Sequence, residues 1–106
     1  MTYLTEMLNR DTIREYCDLQ FGTGSYPTYM GYCAWLGISY WHGKRAFKER
    51  NGLTGRRVMD EIVAEKINSW EGSGGDLAFY LGVDHSSLVR MRKRLKKEGL
   101  LSDSVE

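Results

Sequence analysis

Glycine and its turn-forming companions interrupt this chain at 21–27, 37, 51–52, 71–75, 82 and 99, and these breaks cut it into segments each long enough for a single element. Between them apolar side chains recur three and four residues apart, the period of a helix that buries one face. Ile13, Tyr16 and Cys17 make one such face and extend it to Phe21. Val58, Ile62, Val63, Ile67 and Trp70 make another, Leu77, Ala78 and Leu81 a third, and Leu88, Met91 and Leu95 a fourth. The chain therefore reads as all-α. Thr12 with Glu15 forms a capping box that opens an N-terminal helix, behind a shorter segment around Leu4, Met7 and Leu8. A helix is predicted over 28–36, ending at Gly37, and Ser39 caps the next, over 40–50, which stops at Asn51-Gly52. Thr54 opens a long helix over 54–70. A short helix follows over 76–81, the chain turns at Gly82, and Asp84 caps a last helix over 85–98 that ends at Gly99.

With 106 residues, 42% of them apolar and 27% charged, the chain is expected to form one compact domain over 1–106. Its parts are N-terminal helices and a candidate helix pair (1–53), a connecting helix (54–70) and a C-terminal helix pair (71–106). That length excludes a conventional two-domain enzyme. Tyr26, Tyr29, Tyr32 and Trp35, three residues apart, are expected in the core. Tyr40, Trp41 and His42 cannot all point inward, so at least one must face solvent; His42 is expected to pack and His85 to lie on the surface. Cys17 and Cys33 are expected reduced and buried. The start of the chain has no secretory pattern, and its longest uncharged run, 19–43, is broken by glycines and Pro27, so a cytoplasmic protein with no membrane partner is expected. Cys33 and His42 have no paired carboxylate or phosphate loop to complete a catalytic site, and Cys17, Cys33, His42 and His85 lack zinc-ligand spacing. No enzyme activity, cofactor or metal is expected.

A net charge of +1 hides strong segregation. Residues 44–57 carry six basic side chains and one acidic, and residues 85–97 carry six basic and none acidic. Residues 58–84, between them, hold one basic and six acidic side chains. Because local potential depends on charges within a Debye length of roughly 8–10 Å, two concentrated basic blocks differ from a uniformly neutral surface. Either they are solvated helix faces or they meet an anionic partner.

The residues around the second block carry a pattern of their own. Leu77-Ala78, Leu81-Gly82-Val83, the run Ser87-Leu88-Val89-Arg90, Leu95 and Gly99-Leu100 resemble the helix-turn-helix family of bacterial and phage transcription factors. Ala78 is small where two helices would cross, and Gly82 can take the positive φ that turns the chain. A weaker copy lies 45 residues upstream, where Leu36-Gly37-Ile38-Ser39 aligns with Leu81-Gly82-Val83-Asp84, Arg45 with Arg90 and Lys48 with Lys93. Two such units joined by a helix resemble the DNA-binding domain of AraC/XylS-type activators. Ser39-Tyr40-Trp41-His42, Arg45-Ala46-Phe47-Lys48 and Gly52 are similar to that family's first motif, although Gly43 stands where the family has an apolar core residue.

The function expected is sequence-specific binding of double-stranded DNA by a small transcriptional regulator. His85, Ser86, Val89, Arg90 and Lys93 project outward at helical spacing toward base edges, with Ser87 beside them and Arg90 suited to a bidentate contact with guanine. Arg92, Arg94, Lys96 and Lys97 are assigned to phosphates. In the upstream unit the equivalent positions are Tyr40, Trp41, Lys44, Arg45 and Lys48, and the resemblance implies that Trp41, Lys44 and Arg45 read bases. Arg56 and Arg57 are placed on the DNA backbone. The joining helix, about 24 Å long at 1.5 Å per residue, has the length to space two recognition helices one DNA turn apart, about 34 Å. If both units bind, a monomer covers a tandem site; if only the second does, a homodimer on a palindrome is expected, with contact to transcription machinery in either case. The alternative is a small helical interaction protein, of phage or plasmid type, whose basic helices take an acidic protein or RNA.

Overall fold

A computed structural model describes residues 6–102. Among these residues there are six helices and no strand: α1 (Arg10–Gln20), α2 (Tyr29–Leu36), α3 (Tyr40–Asn51), α4 (Gly55–Ser69), α5 (Gly74–Leu81) and α6 (His85–Lys97). The fold is all-α. It divides into two compact units, one joining the described residues up to Leu19 to Pro27–Met59, the other joining Gln20–Tyr26 to the described residues from Asp60 onward. The division falls inside α4.

In the first unit, α1 opens three residues ahead of the expected capping box. Asn9 Oδ1 accepts from the Thr12 amide at 2.9 Å, and the Asn9 amide donates to Thr12 Oγ1 at 3.4 Å. Thr12 does not start the helix because its hydroxyl is engaged elsewhere, donating to the Met7 carbonyl at 2.6 Å and lying 2.6 Å from the Tyr32 hydroxyl. The segment expected around Leu4 lies outside the described residues, but Leu8 is fully buried with Ile13, Cys17, Tyr32 and Phe47. Burying side chains of this size contributes about 1.5–3 kcal/mol each. Tyr29 stands edge-on to Phe47 at 6.1 Å and donates its hydroxyl to the Gly43 carbonyl at 2.8 Å, so an aromatic core carries no unsatisfied phenol there. Asn51 Nδ2 donates to the Leu8 carbonyl at 2.9 Å and fastens the chain ahead of α1 to the end of α3.

Two expectations about this core are corrected. Tyr29 and Tyr32 are buried, but Trp35 keeps 42% of its surface exposed, resting against Tyr16 at 5.7 Å. Tyr26, which belongs to the second unit, is only half-buried. His42 does not pack: it is exposed at the start of α3, as is Trp41.

The second unit closes on Leu77, Leu81, Leu88 and Leu95, with Ile62, Val63 and Ile67 from α4. Phe21 stacks on Tyr80 at 5.2 Å, and Tyr80 meets Trp70 at 5.2 Å on its other side. The Gly22 amide donates to the Tyr80 carbonyl at 2.8 Å, so the turn after α1 is part of this core. Helix α5 begins at Gly74, two residues before the predicted start, because Ser73 Oγ accepts from the Asp76 amide at 3.1 Å and caps a first turn made of glycines. No helix among the described residues is long and apolar enough to cross a membrane.

Candidate nucleic-acid interface

The two units contain the same local construction, 45 residues apart. In the first, Thr28 caps α2, Gly37 ends it at φ 76°, and Ser39 caps α3 by accepting from the His42 amide at 3.3 Å. In the second, Ser73 caps α5, Gly82 ends it at φ 81°, and Asp84 caps α6 by accepting from the Ser87 amide at 2.7 Å. Even the turn bonds correspond: Gly37 donates to Ala34 at 3.0 Å and Ile38 to Cys33 at 2.9 Å, while Gly82 donates to Phe79 at 3.1 Å and Val83 to Ala78 at 3.0 Å. An eight-residue helix thus packs, through a three-residue connection, on a longer one in each unit.

The packing beneath the turns is reciprocal. In the first unit a β-carbon on Gly43 would lie 2.6 Å from Cys33 Sγ, so the small residue is on the second helix and the larger on the first. The equivalent positions in the second unit are Leu88 and Ala78, both buried, with the sizes exchanged. Gly43 therefore stands where an apolar residue was expected because Cys33 already fills that space. Gly82 is fixed twice, by its φ and because a β-carbon there would lie 2.6 Å from the Ser25 carbonyl carbon and 2.8 Å from the Tyr26 amide nitrogen.

With the inner faces committed, the outer faces of α3 and α6 hold most of the predicted interface. On α3, Trp41 is 75% exposed, and Lys44, Arg45 and Lys48 are exposed beside it, while Tyr40 is half-buried. Lys44 Nζ lies 5.6 Å from the Trp41 ring and 5.8 Å from that of Tyr40, a cation held over two aromatic faces. Trp41, Lys44, Arg45, Lys48, Glu49 and Thr54 line an open hollow of about 620 Å³. Arg56 is exposed and Arg57 half-buried on the first turn of α4. On α6, His85, Ser86, Arg90, Lys93 and Lys97 are exposed, Val89 is 39% exposed, and Ser87 is half-buried. Arg90 Nη2 donates to Ser87 Oγ at 3.2 Å, which holds the guanidinium along the outer face.

Arg94 is the predicted residue in a different situation. It forms a two-pronged pair with Asp60, Nη1 to Oδ2 at 2.9 Å and Nη2 to Oδ1 at 3.2 Å, and also reaches Glu98 at 3.4 Å. The Asp60 hydrogen bonds hold the guanidinium more firmly protonated. Arg94 thus ties α6 to α4 within the second unit. No local signal marks this partner, 34 residues away. Elsewhere titration follows burial: desolvation raises the Tyr29 and Tyr32 hydroxyls and the Cys33 thiol, so these groups stay neutral in the folded unit. The Ser87 hydrogen bonds lower Asp84, with Arg90 and His85 adding to the effect.

Compared with protein-family models, with curated proteins and with solved structures, the chain matches none. Among the described residues there is no group of three or more His, Cys, Asp or Glu side chains placed to hold a metal ion.

Proposed function

We propose that this protein is a small cytoplasmic transcriptional regulator of helix-turn-helix type that binds double-stranded DNA sequence-specifically. The observation that carries the reading is the paired construction itself. Each unit caps and buries one face of its longer helix and leaves the opposite face of that helix to solvent with the basic residues on it. A helix presented this way fits the major groove, where N-terminal side chains meet base edges. Arg90 and Arg45 are assigned to guanine, Trp41, Lys48, Ser86, Val89 and Lys93 to neighbouring base edges, and Lys97 to phosphates. Arg94 is assigned to holding α6 in place. The AraC/XylS-type resemblance of residues 28–101 supports use of both helices by one chain, on a tandem site, where it can also meet transcription machinery.

The test is selection from a random duplex pool. One motif should be enriched; Arg90→Ala should relax its preference at a single position, whereas Lys97→Ala should weaken all sequences alike and lower the salt dependence by about one phosphate contact. Failure to enrich any motif, with binding lost uniformly near physiological salt, would favour an acidic protein or RNA as partner.

A further inference from the structure

Within the second unit, a groove of about 300 Å³ is bordered by three segments: the last turn of α4, one stripe of α6, and the chain at Leu101 and Ser102. The third border is fixed by hydrogen bonds. Asn68 Nδ2 donates to the Leu100 carbonyl at 3.2 Å, Asn68 Oδ1 accepts from the Ser102 amide at 3.2 Å, and the Leu100 amide donates to the Leu95 carbonyl at 2.9 Å. The lining divides by chemistry. Ile67, Val89 and Leu101 are apolar, whereas Arg92, Lys93 and Lys96 carry positive charge, and none of the described residues lining the groove is acidic. Ile67 is buried, Leu101 and Arg92 are half-buried, and Lys93 and Lys96 are exposed, so the apolar part lies deepest and the lysines at the rim.

We propose that this groove binds a small amphipathic carboxylic acid, its apolar body against Ile67, Val89 and Leu101 and its carboxylate at Arg92, with Lys93 and Lys96 beside it. Charge complementarity selects an anion, and the planar fork of Arg92 matches the two oxygens of a carboxylate. A bare inorganic anion would leave the apolar walls wet, and a pure hydrocarbon would leave the cations unused. Size selects a small molecule. Val89 to Lys96 spans about 10 Å at 1.5 Å per residue, the length of a phenylpropyl-sized body with its head group, and a volume of this order is at the small end of ligand pockets. Val89 and Lys93 also belong to the face assigned to DNA, so the acid and DNA exclude one another from the second unit. That consequence rests on the DNA-binding reading; binding of the acid does not.

The probe is 3-phenylpropionate, titrated into the full chain and followed by methyl NMR. Its body alone is 3-phenylpropanol, its head alone is acetate, and an acetylated Glu-Leu-Asp-Leu peptide stands for a protein partner. The Ile67, Val89 and Leu101 methyl signals should move with one common midpoint, on the order of a few millimolar for a ligand of this size. That midpoint should rise about fivefold or more for the alcohol and in Arg92→Gln, and acetate should leave the signals in place. The amide spectrum of Arg92→Gln reports whether it is folded, and the comparison with the alcohol needs no variant. No saturation, equal midpoints for acid and alcohol, or an unchanged midpoint in folded Arg92→Gln would each overturn the site. Saturation by the peptide alone would overturn it in favour of a protein partner. At about ten times its midpoint the acid should weaken binding to a random duplex pool about tenfold relative to the same concentration of acetate. Methyl saturation without that loss would overturn the exclusion, and absence of duplex binding with and without the acid counts against the DNA reading while the methyl signals still report the groove.

Discussion

The two helix pairs reach the same turn by opposite packing. The first unit places Cys33 on its short helix against Gly43, and the second has Ala78 and Leu88, both buried, at the equivalent positions. What is shared is therefore the hydrogen-bond plan of the turn and its caps; what differs is which helix supplies the volume beneath it. The outer faces differ too. The first offers an exposed indole with a lysine lying over it, and the second offers shorter polar side chains and a hydroxyl-braced arginine. A common frame carrying unlike faces suits two different stretches of one binding site.

The largest effect expected from disturbing this comparison comes from the packing. Leu88→Gly removes a buried side chain and adds a helix-interior glycine, and should cost about 3–6 kcal/mol by urea denaturation followed by far-UV circular dichroism. Gly43→Leu should cost about 1–3 kcal/mol through overpacking against Cys33, and Cys33→Ala in the same chain should recover most of that loss. Failure of the second change to rescue the first would break the claim of reciprocal volume. The turn glycines come next. Gly37→Ala meets open space and should cost only the left-handed backbone penalty of about 1–2 kcal/mol, whereas Gly82→Ala must also displace the 24–26 backbone and should cost distinctly more.

The smallest difference is in the caps. Asp84 is lowered below the ordinary carboxylate range, so its contribution is present above that range and is lost as pH falls through the lowered folded value. Ser39 has no such dependence. Asp84→Ser should flatten the loss of urea midpoint toward pH 2, and Ser39→Asp should steepen it. Removing the Ser39 cap altogether, as alanine, costs about 1 kcal/mol at any pH.

The element boundaries were legible where they are chemically local. Ser39, Thr54 and Asp84 do cap the helices that follow, and Gly37, Gly52 and Gly82 do end the helices that precede, because a cap needs only its own next turn. The all-α class follows from the same signals. Where two local solutions competed, a distant group decided: Asn9 and Thr12 both offer a capping oxygen, and the Tyr32 hydroxyl, twenty residues on, engages the second. A three-residue aromatic spacing drifts by about 60° per step around a helix, so Tyr29 and Tyr32 can face the core while Trp35 cannot follow. The exposure of Trp41 and the basic residues was foreseeable from their number on one short helix. The Asp60 partner of Arg94 and the groove bounded by Ile67, Asn68 and Ser102 depend on tertiary packing and leave no mark at the spacing of neighbours.

The central claim, that each unit reads its own stretch of DNA, is tested most directly by selecting duplexes with the parent chain and with Arg45→Ala and Arg90→Ala side by side. Two separable submotifs are expected, with Arg45→Ala erasing preference within one and leaving the other intact, and Arg90→Ala doing the reverse. A single motif altered by Arg90→Ala alone would contradict the two-unit claim, and the enrichment of no motif at all would contradict DNA reading by either helix.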